Sequence, residues 1–395
     1  MIALAELIER FEPALLQRYR DRLLPSQLKA RWAMKRCRTR FAPRMLALCM
    51  ACGEQRSVPH SCGHRACPHC QHHDSQRWLQ RQLHSLVPAP YFLVTFTLPA
   101  ELRGLASRHQ RLVYALLMQC AWDTLDTFTR NDARLRATPG AVGVLHTHNR
   151  RLDFHPHVHM VMPAAALDAQ RGLWRTKVRR ARSTGAGAAS AASGPYLFNH
   201  KALAKVFRAK VLDAVERAGL QLPAVLPETW VVDCRCVGDG SKALLYLGRY
   251  LYRGVIQEAD ILRCDNGLVS FRYRDAKTGK SAVRTLPGAD FLWLVLQHVL
   301  PKGLRRSRNF GFLHPNSAGA LRLLQLLHLR AAPAADASTP PTRPVWRCVC
   351  GQPMRVVCRR MAALQPLQSD SAGQAQPWRV LRPDKPGAGQ AHTMH

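Results

Sequence analysis

Acidic residues are scarce in this chain. Against 58 lysines and arginines its 395 residues set only 25 aspartates and glutamates, a formal charge of +33 and an isoelectric point near 10.8. Such a field exceeds what solubility needs and attracts polyanions over several Debye lengths. Nucleic acid is therefore the expected partner; an anionic membrane surface or a ribosomal role are the alternatives that charge alone leaves. Long apolar runs are also missing. The longest, Phe291 to Leu296 extended through His298 to Leu300, falls far short of the roughly 18 residues that span a bilayer. Residues Met1 to Glu9 carry acids among their apolar positions and lack both a basic n-region and a small-residue cleavage site, so no signal peptide is expected. No internal repeat is visible. These absences predict a cytoplasmic, nucleoid-associated protein with no membrane partner. There the 13 cysteines stay reduced, and clustered ones are better read as metal ligands than as disulfides.

What is present suffices for cores: 47% of residues are apolar, enough for two or three domains. Helical spacing over residues 3 to 35 (Leu4, Leu7, Ile8, Phe11, Leu15, Leu16, Tyr19) breaks near Pro25 and leads into a cysteine-rich segment at 49 to 70. A buried strand is predicted at Tyr91 to Leu98, then a helix over 105 to 130 with Leu112, Leu116, Trp122 and Leu125 on its apolar side. Ala141 to Thr147 and Phe154 to Met162 read as a hairpin turning on Arg151 and Leu152. Then come a Gly/Ala/Ser-rich surface loop at 183–194, a helix at 200–218, a strand at 229–237 and a helix at 241–253. A second hairpin is expected at 268–286, and the Ala/Pro/Thr-rich sequence beyond 331 reads as a disordered tail. The mixture is of the α+β class. The divisions are 1–85, N-terminal helices and a small zinc-binding module; 88–328, a larger domain of mixed strands and helices; and 331–395, the tail.

Three groups of residues carry chemistry. Cys49-x2-Cys52-Gly53 and Cys67-x2-Cys70, with fourteen residues between them, have the spacing of two knuckles that close one structural Zn2+ site. Cys62, His60, His64 and His69 leave the fourth ligand, and a second ion, open. Cys348-Val349-Cys350 reads as a degraded, metal-free knuckle, and Cys120, Cys234, Cys236 and Cys264 as buried small hydrophobes. His157 and His159, one residue apart in a strand, project from one face and could hold a divalent cation, although an isolated pair also suits a merely polar strand face. If the hairpin turns as above, His146 lies opposite His157 as a third ligand and His148 opposite His155. Imidazoles suit Mn2+ or Zn2+ better than Mg2+, although a site left open for water and phosphate could accept Mg2+. Tyr246 and Tyr250 are four apart on one helical face, a spacing that serves core packing as well as chemistry; Arg249 and Arg253 between and beyond them favour a phosphate-facing, DNA-binding surface. A phenol is a poor nucleophile at neutral pH and needs a cation or polarised phosphate nearby.

Taken in order, Cys62-Gly63-His64-Arg65-Ala66-Cys67-Pro68-His69-Cys70, Leu145-His146-Thr147, His155-Pro156-His157-Val158-His159, Tyr246-Leu247-Gly248-Arg249-Tyr250, His298 to Gly303 and Arg308-Asn309-Phe310-Gly311-Phe312 resemble the HUH-class rolling-circle transposases, specifically the two-tyrosine group of insertion sequence 91. The resemblance covers most of the chain to about residue 328. It implies that 88–328 is a catalytic domain, with a central antiparallel sheet and flanking helices, a divalent cation on the histidine pair, and a tyrosine that forms a 5′-phosphotyrosine link while freeing a 3′-hydroxyl. DNA, single-stranded or hairpin at the element ends, is the implied partner, with homo-oligomerisation left open. A plasmid replication initiator or relaxase would share this chemistry, and a non-catalytic zinc-dependent DNA-binding regulator would share only the scaffold.

Overall fold

A computed structural model of the chain describes residues 2–70, 72–177, 197–252, 254–275, 278–327 and 346–361. The first half of the chain forms helices α1 (Leu4–Tyr19) and α2 (Pro25–Arg36), strands β1 (Arg44–Cys49) and β2 (Gln55–Pro59), helix α3 (His72–His84), strand β3 (Tyr91–Thr97), and helices α4 (Arg103–Arg108) and α5 (Gln110–Asn131). Strands β4 (Thr138–His148), β5 (Phe154–Pro163), β6 (Ala165–Asp168) and β7 (Leu173–Thr176) follow, then helix α6 (His200–Arg217), strand β8 (Val232–Cys236) and helix α7 (Ser241–Tyr252). The remainder comprises β9 (Ile261–Asp265), β10 (Leu268–Arg274), β11 (Ser281–Pro287), α8 (Gly288–Leu296), β12 (Ser307–Gly311), α9 (Ala318–Leu327) and β13 (Met354–Met361). No helix among the described residues is long and apolar enough to cross a membrane. The expected loop at 183–194 lies outside the described residues.

The α+β expectation holds. A seven-stranded sheet in the order β7-β6-β4-β5-β3-β8, with β12 also paired to β4, is flanked by helices on both faces. Strand alternation sorts its side chains. Phe92, Val94 and Phe96 of β3, Val158, Met160 and Met162 of β5, and Leu145 of β4 point to one face and share a core with α5 and α6. Leu93, Val161, Val142 and Val144 point to the other, where Trp78 of α3, Leu244, Leu247 and Leu251 of α7 and Leu324 of α9 cover them. Each such buried aliphatic or aromatic side chain contributes about 1.5–3 kcal/mol by leaving water, so both helical layers are firmly seated. The edge pairing of β12 depends on Gly311: its φ is +59°, and a Cβ there would collide with the Pro139 carbonyl oxygen.

Two smaller antiparallel sheets complete the fold, β11-β10-β9 and β13-β1-β2. The N-terminal helices do not stand apart. Leu7, Ile8 and Leu15 of α1 share a core with Phe291, Leu292 and Val295 of α8 and with Val269 and Phe271 of β10, and Tyr19 stacks on Trp293 at 4.9 Å. The core of residues 1–36 therefore belongs equally to residues 256–299.

Three expectations need correction. The tail beyond 331 is not wholly without structure: residues 354–361 form β13 and pair with β1 (Cys49↔Met354, Ala47↔Val356), since the row of unpaired backbone groups on β1 offers them partners. The buried side of α5 runs through Val113, Leu117, Ala121 and Leu125, with Leu112 left exposed, because the helix is held between the sheet and α6 and needs a broad apolar face. In the β4–β5 hairpin His146 does face His157, but a bulge sets His148 opposite Phe154 rather than His155. The cause is local. Asn149 accepts hydrogen bonds from the amides of Arg151 (2.9 Å) and Asp153 (3.0 Å), and Leu152 takes a left-handed conformation, φ +69°, that drives its side chain into the core under α8.

Candidate metal centres and nucleic-acid cleft

The β4–β5–β3 pairing assembles the histidine group. His146↔His157, Val144↔His159, Thr95↔His159 and Thr97↔His157 are direct partners, which puts His146, His157 and His159 on one face, that covered by α3 and α7. The ligand nitrogens of the three imidazoles lie within 4.8 Å of one another, with ring centroids 4.5–5.1 Å apart. Their outer nitrogens are tied back. His157 Nδ1 donates to the His155 carbonyl at 2.7 Å, which leaves its Nε2 lone pair for a ligand, and His159 Nδ1 meets Thr95 Oγ1 at 2.9 Å, which leaves Nε2 bare when the hydroxyl accepts. Burial disfavours the imidazolium: it pulls His157 down to about 4 and His159 to about 3, and holds His146 well below the usual histidine range. Neutral imidazole is the metal-binding form, so the group is ligand-ready at neutral pH. Three neutral nitrogen donors at the margin of solvent fit a divalent cation with positions left for water or phosphate oxygen.

Helix α7 presses Ala243, Leu244, Leu247 and Leu251 into the core on this same sheet face. Tyr246 stands outside that stripe, 46% exposed, which excludes core packing as its role. Arg306 donates to the Leu251 carbonyl at 3.0 Å, near the end of α7, and its charge bears on His146 and His148, so the helix end and the histidine cluster share one basic neighbourhood. The side chains of Tyr250 and Arg249, and all of Arg253, lie outside the described residues.

The cysteines divide differently from expectation. Cys49, Cys52, Cys67 and Cys70 do not form one group. Cys67 and Cys70 join Cys62 and Cys37, and Cys49 and Cys52 join Cys348 and Cys350, each set with its sulfurs within 4.8 Å. The knuckles separate because β1 and β2 run between them as a hairpin. In the first set Sγ···Sγ distances of 3.5–3.6 Å (Cys37–Cys70, Cys62–Cys70, Cys67–Cys37) approach the edge of about 3.8 Å that a tetrahedron of ~2.3 Å Zn–S bonds requires. The amides of Cys62 and His64 point at sulfur, each at 3.4 Å. Hydrogen bonds from Cys62 and Cys67 lower Cys37 to about 7, the direction that favours a metal-ligating thiolate. The surplus histidines are engaged elsewhere: His69 with Glu258 at 2.8 Å, His64 with the Ala66 amide at 3.1 Å, and His60 with the Arg359 carbonyl. Among the cysteines expected to be buried, Cys120 and Cys234 are so, whereas Cys264 is half-buried and Cys236 exposed.

This first cysteine set braces a cleft that composition could not locate. A cavity of about 1800 Å³ opens between α3, the end of α7, β12 and the 298–306 loop, and its lining among the described residues includes seven arginines, among them Arg65, Arg77, Arg81, Arg111, Arg306 and Arg308, and no acid. Arg65, two residues before Cys67, donates to the carbonyls of Leu304 (2.7 Å) and Pro301 (2.6 Å) and so fixes the cysteine-rich knuckle as one wall. The only sequence signal for this wall was the run Arg305-Arg306-Ser307-Arg308; the other arginines are scattered through the chain.

Comparison with known proteins agrees with these features. Residues 140–319 match the family described as "Putative transposase", and residues 7–98 match "Transposase zinc-binding domain". Among curated proteins the chain is 29% identical over 314 residues to "Putative transposase y4qJ" of Sinorhizobium fredii, covering 74% of this chain and 75% of that one. It is 30% identical over 290 residues to "Transposase for insertion sequence element IS801" of Pseudomonas savastanoi pv. phaseolicola, covering 66% of this chain and 65% of that one. No solved structure matches the chain.

Proposed function

Since the chain belongs to the transposases of the insertion sequence 91 family, with their N-terminal zinc-binding domain, we propose that it nicks a DNA strand at an element end and transfers it through a 5′-phosphotyrosine link, as in rolling-circle transposition. The observation that carries this reading is that the three-imidazole cluster and the buried stripe of α7 occupy the same face of one sheet, with Tyr246 exposed beside it. The sheet with its histidine pair and tyrosine helix is then an HUH endonuclease-like domain.

In this reading the arginines of the cleft hold the phosphate backbone of a single-stranded or hairpin end, and Arg249 and Arg253 extend that surface along α7. His157, His159 and His146 would hold Mg2+ or Mn2+, which would withdraw charge from the scissile phosphoryl oxygens. The phenol of Tyr246 or Tyr250 loses its proton, its oxygen bonds to phosphorus, and the P–O3′ bond breaks to release a 3′-hydroxyl. One phosphodiester replaces another, so the energy of the strand is retained and no nucleotide is consumed. The second tyrosine repeats the exchange on another strand. The zinc-bound cysteine knuckle keeps Arg65 and its loop in place against the cleft.

The test compares wild type with His157→Ala on 3′-labelled single-stranded element ends with Mn2+ present. The variant is expected to form denaturation-resistant adduct at least about 100-fold more slowly. Equal yields would overturn the metal assignment. A non-catalytic regulator would give no adduct with either protein while still binding the DNA.

A further inference from the structure

Cys348 and Cys350 lie beyond both matched segments and have no part in strand breakage, yet the fold brings them from the far end of the chain onto Cys49 and Cys52. Cys49 Sγ stands 3.6 Å from Cys350 Sγ and Cys52 Sγ 3.5 Å from Cys348 Sγ, across separations of 301 and 296 residues. These distances are far from the roughly 2.05 Å of a disulfide and close to the edge of about 3.8 Å in a tetrathiolate zinc site. All four thiols are free.

The two turns that present them are built alike. The Cys49 amide donates to the Glu54 carbonyl at 2.8 Å and the Gly53 amide to the Cys49 carbonyl at 3.0 Å; the Cys348 amide donates to Gln352 at 2.9 Å and the Gly351 amide to Cys348 at 2.9 Å. Gly53 and Gly351 take φ of +77° and +83°, which only glycine adopts without strain. The C-x-C spacing, which reads from sequence as a degraded knuckle, is thus a knuckle with its turn one residue shorter, and it keeps the glycine that closes the turn.

We propose that Cys49, Cys52, Cys348 and Cys350 bind a second zinc ion, which staples the C-terminal strand β13 to the N-terminal sheet. The local core shows why an ion is needed there. It consists of Ala47, Cys49, Cys348 and Met354 alone, and two of those four are the cysteines themselves. So small an apolar cluster cannot hold a strand whose own Val357 is exposed, as is Val349 between the two cysteines, and metal takes the place of core, as in other small modules. Docking of β13 is then metal-dependent, while the Cys37 set holds the catalytic side of the molecule independently.

Exposure supplies the test, because Cys52 and Cys350 are exposed to solvent, as is Cys236, which belongs to neither set. The full chain is purified with zinc under reducing conditions, treated with a thiol-alkylating reagent, and its modified cysteines are located by mass spectrometry. In zinc-loaded protein Cys52 and Cys350 should react at least about tenfold more slowly than Cys236, and chelation should abolish the difference. Cys348→Ser should unmask Cys49, Cys52 and Cys350 and leave Cys62 and Cys70 protected; if the remaining seven cysteines of the two sets all become reactive the variant has misfolded, and the wild-type comparison decides alone. Reaction of Cys52 and Cys350 as fast as Cys236 in zinc-loaded wild type would overturn the proposal.

Discussion

Thr95→Val probes the histidine cluster at the point where structure adds most to sequence. The substitution keeps the branched shape that suits β3 and removes only the hydroxyl 2.9 Å from His159 Nδ1. When that hydroxyl accepts from Nδ1–H it favours the tautomer with a bare Nε2, and without it the ring is freer to place its proton on Nε2, where a metal ion would bind. A single hydrogen bond contributes about 1 kcal/mol net, and loss of an outer partner of a ligating histidine costs 10–100-fold in metal affinity. The expected result is therefore Mn2+ binding weakened about tenfold, or ~1.4 kcal/mol. Calorimetric titration of protein with its cysteine sites already loaded with zinc would measure it. Thr95→Ser, which restores the hydroxyl, should bind like wild type. Equal affinity for Thr95→Val and wild type would refute the assignment of Nε2 as the ligand atom and with it the role given to Thr95.

Gly311→Ala should destabilise the fold by more than about 2 kcal/mol, read as a lowered thermal midpoint, because the left-handed backbone and the contact with the Pro139 carbonyl leave no room for a methyl group. His298 is buried with its pKa pulled down to about 4 by burial, against roughly 6.5 in the unfolded chain. Its neutral form therefore supports the fold fully above pH ~6.5, and that support is lost as pH falls towards 4, at most ~3 kcal/mol in all. Urea unfolding at pH 7 and pH 4.5 should show His298→Gln losing less stability over that interval than wild type. Arg308→Ala in the cleft should weaken binding of single-stranded DNA at every sequence alike and lower the salt slope of the binding constant by about 0.7, a measurement made by titration at several ionic strengths.

What could be read from sequence here followed the range of the signal. Strand alternation alone set His157 beside His159, and a hairpin with a short polar turn was enough to bring up His146. One residue further the same reasoning failed, since the Asn149 turn and the left-handed Leu152 shift the register and pair His148 with Phe154. Cysteine spacing identified ligands but not their partners. Two C-x2-C pairs fourteen residues apart suggest one site, whereas Cys37 at the end of α2 and Cys348 near the other terminus complete two. Contacts across nearly 300 residues leave no local trace in composition or period. The cleft was hidden for the same reason: its arginines come from four separate stretches of chain, and only folding places them on one wall. Joining α1 to α8 is likewise a decision of packing, made where two apolar faces meet, and nothing in either helix names the other.

The central claim is that imidazoles on the sheet and a phenol on α7 act on one phosphate. Digesting the protein after reaction with 3′-labelled element ends and Mn2+, then sequencing the labelled peptide by mass spectrometry, tests it most directly. A nucleotide bonded through its 5′-phosphate to Tyr246 or Tyr250, lost in the Tyr246→Phe, Tyr250→Phe double variant, is the predicted result. A label on any residue outside α7, or an undiminished adduct in the double variant, would contradict it.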